Sequence, residues 1–380
     1  MDIRYRREFA DFDGVTYLDA ALQGPMPLRA AKASQEALEW KKRPDRLPDA
    51  LYFDLPDRIR EKTARLIGAA PGEIAVTSGA SAGLAAVAAG IDWKPGDEVL
   101  VARGEFPAHF STWLRYEKAG KLRVRVIVPR GRFISADDYI EHIGPQTRIV
   151  SASLVRFDNG AQLDAARVGE ACKKAGAGLL LDITQCAGAM PLSIRDVGAD
   201  LAVCSGYKWL LGPYGTGFFW VSSEWTERLL LGAVYFMALE GARNLHAMPL
   251  ENLQPAPGAR RWDSPGTANF TNLAALDSSL DLVLQLGVDA IACHNDALVS
   301  EIIARLPLDR FRLASPDERE RRGPYVCVSA RNPEETAALY EKLRAEQIMV
   351  SLREGALRIA PHLYNTVEDI DRLMSVLSAA

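Results

Sequence analysis

The sequence predicts an α/β fold, a mostly parallel sheet with helices on both faces, followed by a smaller α+β unit. Three observations carry this. Between Ile74 and Val221 short apolar runs alternate with helical patterns, as in successive strand–helix–strand units. The runs at Gly178–Leu181, at Leu201–Cys204 and into Trp220–Val221 are apolar throughout and bounded by Gly or Pro, so they read as buried strands. Finally, 380 residues that are 48% hydrophobic and 25% charged can bury one large core or two. Residues 15–270 read as the large domain. Residues 271–380, joined by the N-terminal segment 1–14, read as the small one.

Each element has its own signal. Tyr17–Ala21 and the following Gly24-Pro25-Met26-Pro27 read as a strand and a Pro-rich turn. Leu55–Ile67 is expected to be a helix, with Pro56 in its first turn and Gly68 just past its end. The strand Ile74–Thr77 runs into Ser78-Gly79-Ala80-Ser81-Ala82-Gly83 and an Ala-rich helix up to Gly90. Val99–Ala102, Arg123–Val128 and Arg148–Ser153 are the next strands, and Ser135-Ala136-Asp137-Asp138 opens a helix as a capping box with Asp for Glu. An amphipathic helix follows at Leu163–Gly176. From Glu240 to Asp263 periodicity is lost, and long loops of this kind are often functional. Helices are expected over Leu273–Gly287, Val288–Arg305 and Pro333–Gln347, with strands at Tyr325–Ser329, Ile348–Ser351 and Leu357–Ala360. The last helix starts near Glu368.

Two residues point to chemistry. Asp182 ends one apolar run, and Lys208 follows another within Ser205-Gly206-Tyr207-Lys208. Open α/β sheets place their ligands at such carboxyl ends of strands. A buried lysine near a buried acid is the pair that pyridoxal 5′-phosphate (PLP) needs: an amine for its aldehyde and a carboxylate for its pyridinium nitrogen. A purely structural lysine there would be costly without a partner. Gly79-Ala80-Ser81 opens a helix, where free N–H groups and the helix dipole suit a phosphate, although small residues also serve tight strand-to-helix packing.

Asp182-x-x-Gln185, Ser205-Gly206-Tyr207-Lys208 and Gly212-Pro213 together resemble the aminotransferase class V family of PLP-dependent enzymes. That family includes cysteine desulfurases, kynureninase and isopenicillin N epimerase-like proteins, and the resemblance runs over nearly the whole chain. It implies the PLP-dependent transferase fold type I, with residues 15–270 as the PLP-binding domain. It also implies the roles of the site residues. Gly79, Ala80, Ser81, Ser205 and Tyr207 would hold the phosphate, with Ser81 standing where the family often has Thr. Phe106 would stack on the pyridine; cysteine desulfurases carry His there, kynureninase and epimerase-like members Phe. Asp182 would face the ring nitrogen and Lys208 would bond the cofactor. The Asn that the family often carries near Arg156 or Phe157 is absent, which leaves Gln185 for the phenolic oxygen. Tyr17–Ala21 is similar to the family's N-terminal motif near the substrate. Gly266-Thr267 is similar to a segment that crosses a dimer interface to the neighbouring subunit's phosphate. Arg358, in Leu357–Thr366, would bind the substrate carboxylate. Its only acidic neighbour in sequence is Glu354, so a substrate anion is favoured over an internal salt bridge. His109 reads either as a general acid/base or, more plainly, as a helix-start residue.

An aminotransferase acting at the α-carbon of an amino acid is favoured, with an epimerase or a C–S or C–C lyase as alternatives. A cysteine desulfurase is disfavoured, because Val350–Leu357 before Arg358 is short and contains no cysteine, and Cys327 reads as a core thiol. A PLP-binding protein without turnover is the alternative of a different class, but no basic segment is spare for a nucleic-acid module. A nicotinamide enzyme would show GxGxxG after a strand, and none is present. The net charge of −4 argues against nucleic-acid and anionic-membrane partners. Five cysteines without a CxxC pair argue against a disulfide framework or a metal site and for a reducing interior. The charged N-terminus shows no secretory h-region, and Leu229–Leu239 falls short of the roughly 20 residues that cross a bilayer. A cytoplasmic homodimer with shared active sites is expected.

Overall fold

The computed structural model describes residues 3–379 apart from Ala233 and Pro249. Its centre is a seven-stranded sheet in the order Ile74–Thr77, Gly217–Val221, Leu201–Ser205, Gly178–Asp182, Thr147–Ser153, Asp97–Ala102, Leu122–Ile127. The last five run parallel, and Gly217–Val221 is antiparallel to both of its neighbours. The central strands are apolar throughout because both faces are covered. One face packs Leu100, Val150, Leu179, Leu181 and Ala202 against helices that include Leu51–Ile67, Ala165–Ala175 and Phe270–Leu286. The other packs Val101, Leu180, Val203 and Phe219 against helix Ala80–Gly90 and Trp113.

The C-terminal unit is an antiparallel sheet in the order Ser351–Arg353, Ala356–Ile359, Val326–Ala330, Phe311–Leu313. It shares a core with helices Val288–Arg305, Pro333–Ala345 and Val367–Ala379. The N-terminal strand Thr16–Tyr17 pairs in parallel with Ile348–Met349, and Ala20 N–H donates to Ala360 O at 3.1 Å. The chain therefore passes through the small unit before it enters the large one.

Three elements depart from expectation. The helix expected from Leu55 starts at Leu51, because Pro48–Ala50 already makes the first turn (Leu51 N–H to Pro48 O, 3.0 Å). Pro56 then lies inside it and gives up one backbone hydrogen bond. The expected strand Ile348–Ser351 divides at Val350, and its halves pair with different partners. Helix Phe270–Leu286, expected to open the small domain, packs on Leu28–Lys42 and Leu51–Ile67 and buries Leu273, Leu276, Leu280 and Val283 in the large core. No single helix among the described residues is long and apolar enough to cross a membrane.

Candidate active site

The carboxyl ends of the parallel strands and the N-terminus of helix Ala80–Gly90 enclose a cavity of about 260 Å³. Lys208 projects into it from the turn after Leu201–Ser205. That turn is fixed by Gly206 N–H to Thr216 O (2.8 Å), by Gly212 N–H to Gly206 O (2.9 Å) and by Leu211 at φ +59°. Gly24 braces it from outside: its N–H donates to Tyr207 O at 2.9 Å, and a Cβ added there would lie 2.1 Å from Lys208 O. Lys208 is buried with its Nζ 5.7 Å from the ring centroids of Phe106 and Tyr207. Burial lowers its pKa to about 8, against the opposing pull of Asp182.

Asp182 is the last residue of its strand. One carboxylate oxygen accepts from Thr184 N–H at 2.8 Å, and the other lies 3.7 Å from His109 Nε2. Burial pushes this carboxyl up, but His109 and Thr184 outweigh it and hold it below the ordinary range. His109 is in the short helix Ala108–Ser111, as a helix-start residue would be, yet it is fully buried with Nδ1 2.8 Å from Ser151 Oγ. It is therefore the neighbour of Asp182 and more than a helix opener.

Gly79, Ala80 and Ser81 line the cavity where expected. Gly79 takes φ +144°, open to glycine, and lets strand Gly217–Val221 approach so closely that a Cβ on Gly217 would sit 2.7 Å from Gly79 Cα. Ser205 lines the cavity too, but its Oγ accepts from Ala80 N–H at 3.1 Å and so braces the loop. Phe106 is 38% exposed toward the cavity and meets Phe157 edge-to-face at 5.3 Å. Tyr207 packs on Tyr214 at the rim, centroids 4.2 Å apart. Gln185 reaches the cavity, but its Nε2 donates to Ala21 O (3.0 Å) and its Oε1 accepts from Trp209 (2.9 Å). One amide hydrogen is left for a ligand.

Other expected residues are not at the cavity. Gly266 and Thr267 lie outside its lining in the single chain. Arg358 is buried behind it, and an internal acid does face it, contrary to the expectation drawn from its sequence neighbours. Its Nη2 lies 3.4 Å from Asp19 Oδ1 and 3.2 Å from Ser351 Oγ, and its Nη1 donates to Phe157 O at 3.0 Å. Arg358 Nε has no hydrogen-bond partner among the described residues. Asp19 lies 339 positions away, so local sequence gave no sign of it.

Sequence reasoning also missed a buried cluster beneath Phe106. Glu105 accepts from Ser153 Oγ (2.6 Å), from the N–H groups of Ser153 and Phe106, and from Arg156 Nη1 (3.2 Å). Arg156 also pairs with Asp158 at 3.0 Å, which turns it away from the cavity and leaves Val155 and Phe157 as lining. Thr184 was missed as well, although it stands inside the Asp182-x-x-Gln185 motif.

The aminotransferase class-V family model matches residues 50–373. The chain belongs to the aminotransferase class V family of PLP-dependent enzymes. Class V relatives include a probable cysteine desulfurase of Methanothermobacter thermautotrophicus, 26% identical over 98% of this chain and 96% of that protein. The isopenicillin N epimerase of Streptomyces clavuligerus is 28% identical over 87% and 86%, and a kynureninase of Xanthomonas oryzae pv. oryzae is 27% identical over 84% and 79%. Among solved structures, the C–S lyase C-DES with glycine covalently linked to its PLP cofactor superposes with a TM-score of 0.88 at 20% identity, covering 98% of each chain. A cysteine desulfurase from Thermococcus onnurineus NA1 gives 0.83 at 20% identity over 99% and 97%. These likenesses establish the class V architecture, fold type I. The cavity fits the family's cofactor on its own terms: a buried amine, a buried carboxylate beyond it and a small-residue cradle at a helix N-terminus.

Proposed function

We propose that the protein is a PLP-dependent enzyme acting at the α-carbon of an amino acid, and that amino transfer is its reaction. The observation that carries this is the makeup of the cavity wall. Among the described residues Lys208 is its single amine, at a pKa of about 8, and no cysteine or histidine lines it. One base on one side can take a proton from the α-carbon and return it to a neighbouring carbon, as amino transfer requires. Epimerisation through two opposed bases would have to use Tyr207 or Tyr214 as the second, and burial pushes the Tyr207 hydroxyl up, away from a base ready at neutral pH. Transfer of sulfur to a protein thiol finds no thiol: Cys172, Cys186, Cys204 and Cys327 are buried in the core and only Cys293 is exposed. Burial pushes the Cys327 thiol up to about 12, away from a nucleophilic thiolate.

When bound, PLP supplies an aldehyde carbon for the amine and an electron sink for the pair left at the α-carbon. Lys208 would hold the cofactor and then carry the α-proton. Asp182 would keep the proton on the ring nitrogen, and the Gly79–Ser81 turn would take the phosphate. Phe106 would cover the ring face, and Gln185 would offer its remaining amide hydrogen to the phenolic oxygen. Arg358, steadied by Asp19 and Ser351, would orient the substrate carboxylate. We place Gly266-Thr267 at the phosphate site of a second copy, in a homodimer with shared sites, and the enzyme in the cytoplasm, where unpaired cysteines persist.

The test incubates purified holoenzyme with a panel of amino acids and keto acids, following the cofactor spectrum together with keto acid, ammonia, sulfide and racemised substrate. Keto acid formed only when an amino acceptor is supplied is the expected result. Release of ammonia or sulfide, or racemisation without an acceptor, would overturn the assignment.

A further inference from the structure

Glu105 and Arg156 form an ion pair with side chains 0% and 4% exposed, and among the described residues neither lines the cavity. They come from different strand ends: Glu105 follows Asp97–Ala102, and Arg156 follows Thr147–Ser153. Each reaches back to the other's backbone. Glu105 Oε1 accepts from Ser153 Oγ at 2.6 Å, and Oε2 accepts from Ser153 N–H at 3.1 Å and from Arg156 Nη1 at 3.2 Å. In return Arg156 Nη2 donates to the carbonyls of Gly104 and, at 3.4 Å, Arg103. Gly104, at φ +71°, makes the approach possible: a Cβ there would lie 3.1 Å from Nη2. The same guanidinium holds Asp158 through Nε and Nη2, both at 3.0 Å.

The residue after each partner is an aromatic of the cavity wall. Glu105 Oε1 also accepts from Phe106 N–H at 3.0 Å, and Phe106 meets Phe157 edge-to-face, centroids 5.3 Å apart. Phe157 O accepts from Arg358 Nη1 at 3.0 Å. Arg156 O accepts from the hydroxyl of Tyr325, whose ring centroid lies 5.8 Å from Arg358 Cζ. One buried pair is thus bonded to Phe106 on one side and braces two supports of Arg358 on the other.

We propose that Glu105 and Arg156 are positioning residues that set Arg358 at a fixed offset from the ring of Phe106, so that an amino acid's carboxylate is held in register with the cofactor plane. The inference rests on Arg358 binding that carboxylate and on Phe106 covering the ring. Neither partner touches a reacting atom; both act through Phe106 N–H, Phe157 O and Tyr325. A pair that served the fold alone would weaken every ligand alike. A register is felt by ligands that use both ends of it.

Arg156→Lys tests this, because it keeps a cation facing Glu105 and gives up the fork to Gly104, Arg103 and Asp158. In PLP-loaded enzyme the cofactor spectrum reports dissociation constants for the best amino acid of the panel above and for the amine lacking its carboxylate, ethylamine in the case of L-alanine. The variant should bind the amino acid about tenfold more weakly and the amine less than about twofold, since a small displacement at a positioned group is costly. Added to Arg358→Lys, the same change should cost the amino acid less than about a further twofold, because the group it positions is already gone. Equal weakening of both ligands, or losses that multiply in the double variant, overturns the proposal. A crystal structure of cofactor-free Arg156→Lys gives a second readout: Phe157 O should move out of hydrogen-bond reach of Arg358 Nη1, and an unmoved contact also overturns the proposal. Should Arg156→Lys fail to fold, Glu105→Gln is read in the same way. If Arg358 is not the carboxylate's partner, Arg358→Lys alone will weaken amino acid and amine equally, with Arg156 intact.

Discussion

Replacing Lys208 by Met should stabilise the cofactor-free protein at neutral pH. The methionine keeps most of the apolar stem and removes the ammonium. In the folded chain that ammonium has a pKa of about 8, against 10.5 for an unperturbed lysine, with burial the main cause. Below pH 8 the group is charged in both states, so the folded protein bears the full penalty of the buried charge. Above pH 10.5 it is neutral in both states and the penalty is gone. At about 1.4 kcal/mol per pH unit, the difference amounts to about 3 kcal/mol. Against this, the amine lies 5.7 Å from the Phe106 and Tyr207 rings, and losing that cation–π attraction removes roughly 0.5–1 kcal/mol. A net gain of about 2–3 kcal/mol is therefore expected at pH 7, shrinking steadily between pH 8 and pH 10.5. Urea unfolding of the cofactor-free wild type and variant across that range measures it directly. A variant no more stable than wild type at pH 7, or a gain that grows toward pH 10, would refute a lysine held at the expense of fold stability.

Three further outcomes follow from the same geometry. Asp182→Asn should leave PLP affinity within a few-fold of wild type yet lower turnover by roughly two orders of magnitude or more, read by equilibrium dialysis beside initial rates. Glu105→Gln removes one of the two acids that engage Arg156, which keeps Asp158, and should lower stability by about 1.5–3 kcal/mol in denaturant titrations. Burial raises the Glu105 carboxyl, but Arg156, His109 and Ser153 hold it below the ordinary range, so in wild type this contribution is present at neutral pH and lost as pH falls through the carboxylate range. Arg358→Lys should weaken amino-acid substrates by about 2–5 kcal/mol while sparing simple amines, because an ammonium cannot reproduce the guanidinium fork. Equal losses for both substrate classes would show that the arginine serves only the fold.

What the sequence made legible was the part of the site that strand ends dictate. Asp182, Lys208 and the Gly79–Ser81 turn each follow an apolar run, and a parallel sheet carries such positions to one edge whatever the rest of the chain does. What it hid depends on pairings between distant segments. The sequence neighbours of Arg358 do not include its acid partner, Asp19, which lies just after the N-terminal strand Thr16–Tyr17. His109 reads from sequence either as a general acid/base or as a helix-start residue, since nothing in Ala108–Ser111 shows that Ser151 and Asp182 close around the ring. Gln185 lines the cavity, and its amide is largely taken up by Ala21 and Trp209, which lie far from it in sequence. Pro56 misled because a proline near a helix start marks a first turn only when no earlier turn precedes it.

The stretch from Asp19 to Gly24 ties the small unit to the large one beside the cavity. Asp19 holds Arg358 and Ser351 in the small unit, and Ala20 is tied to Ala360 in the same sheet. One residue on, Ala21 O anchors the Gln185 amide in the large unit, and Gly24 lies directly against the backbone of Tyr207 and Lys208. Six residues just after the N-terminal strand thus span from the arginine to the lysine, with hydrogen bonds at both ends. A backbone so tethered sets the separation between the group that would hold a substrate carboxylate and the amine that would take its α-proton. Placement of that kind is worth orders of magnitude in rate, because it removes the search for a reactive geometry. It also explains why Gly24 tolerates no side chain: a Cβ there would push on the Lys208 carbonyl and move the amine relative to Arg358.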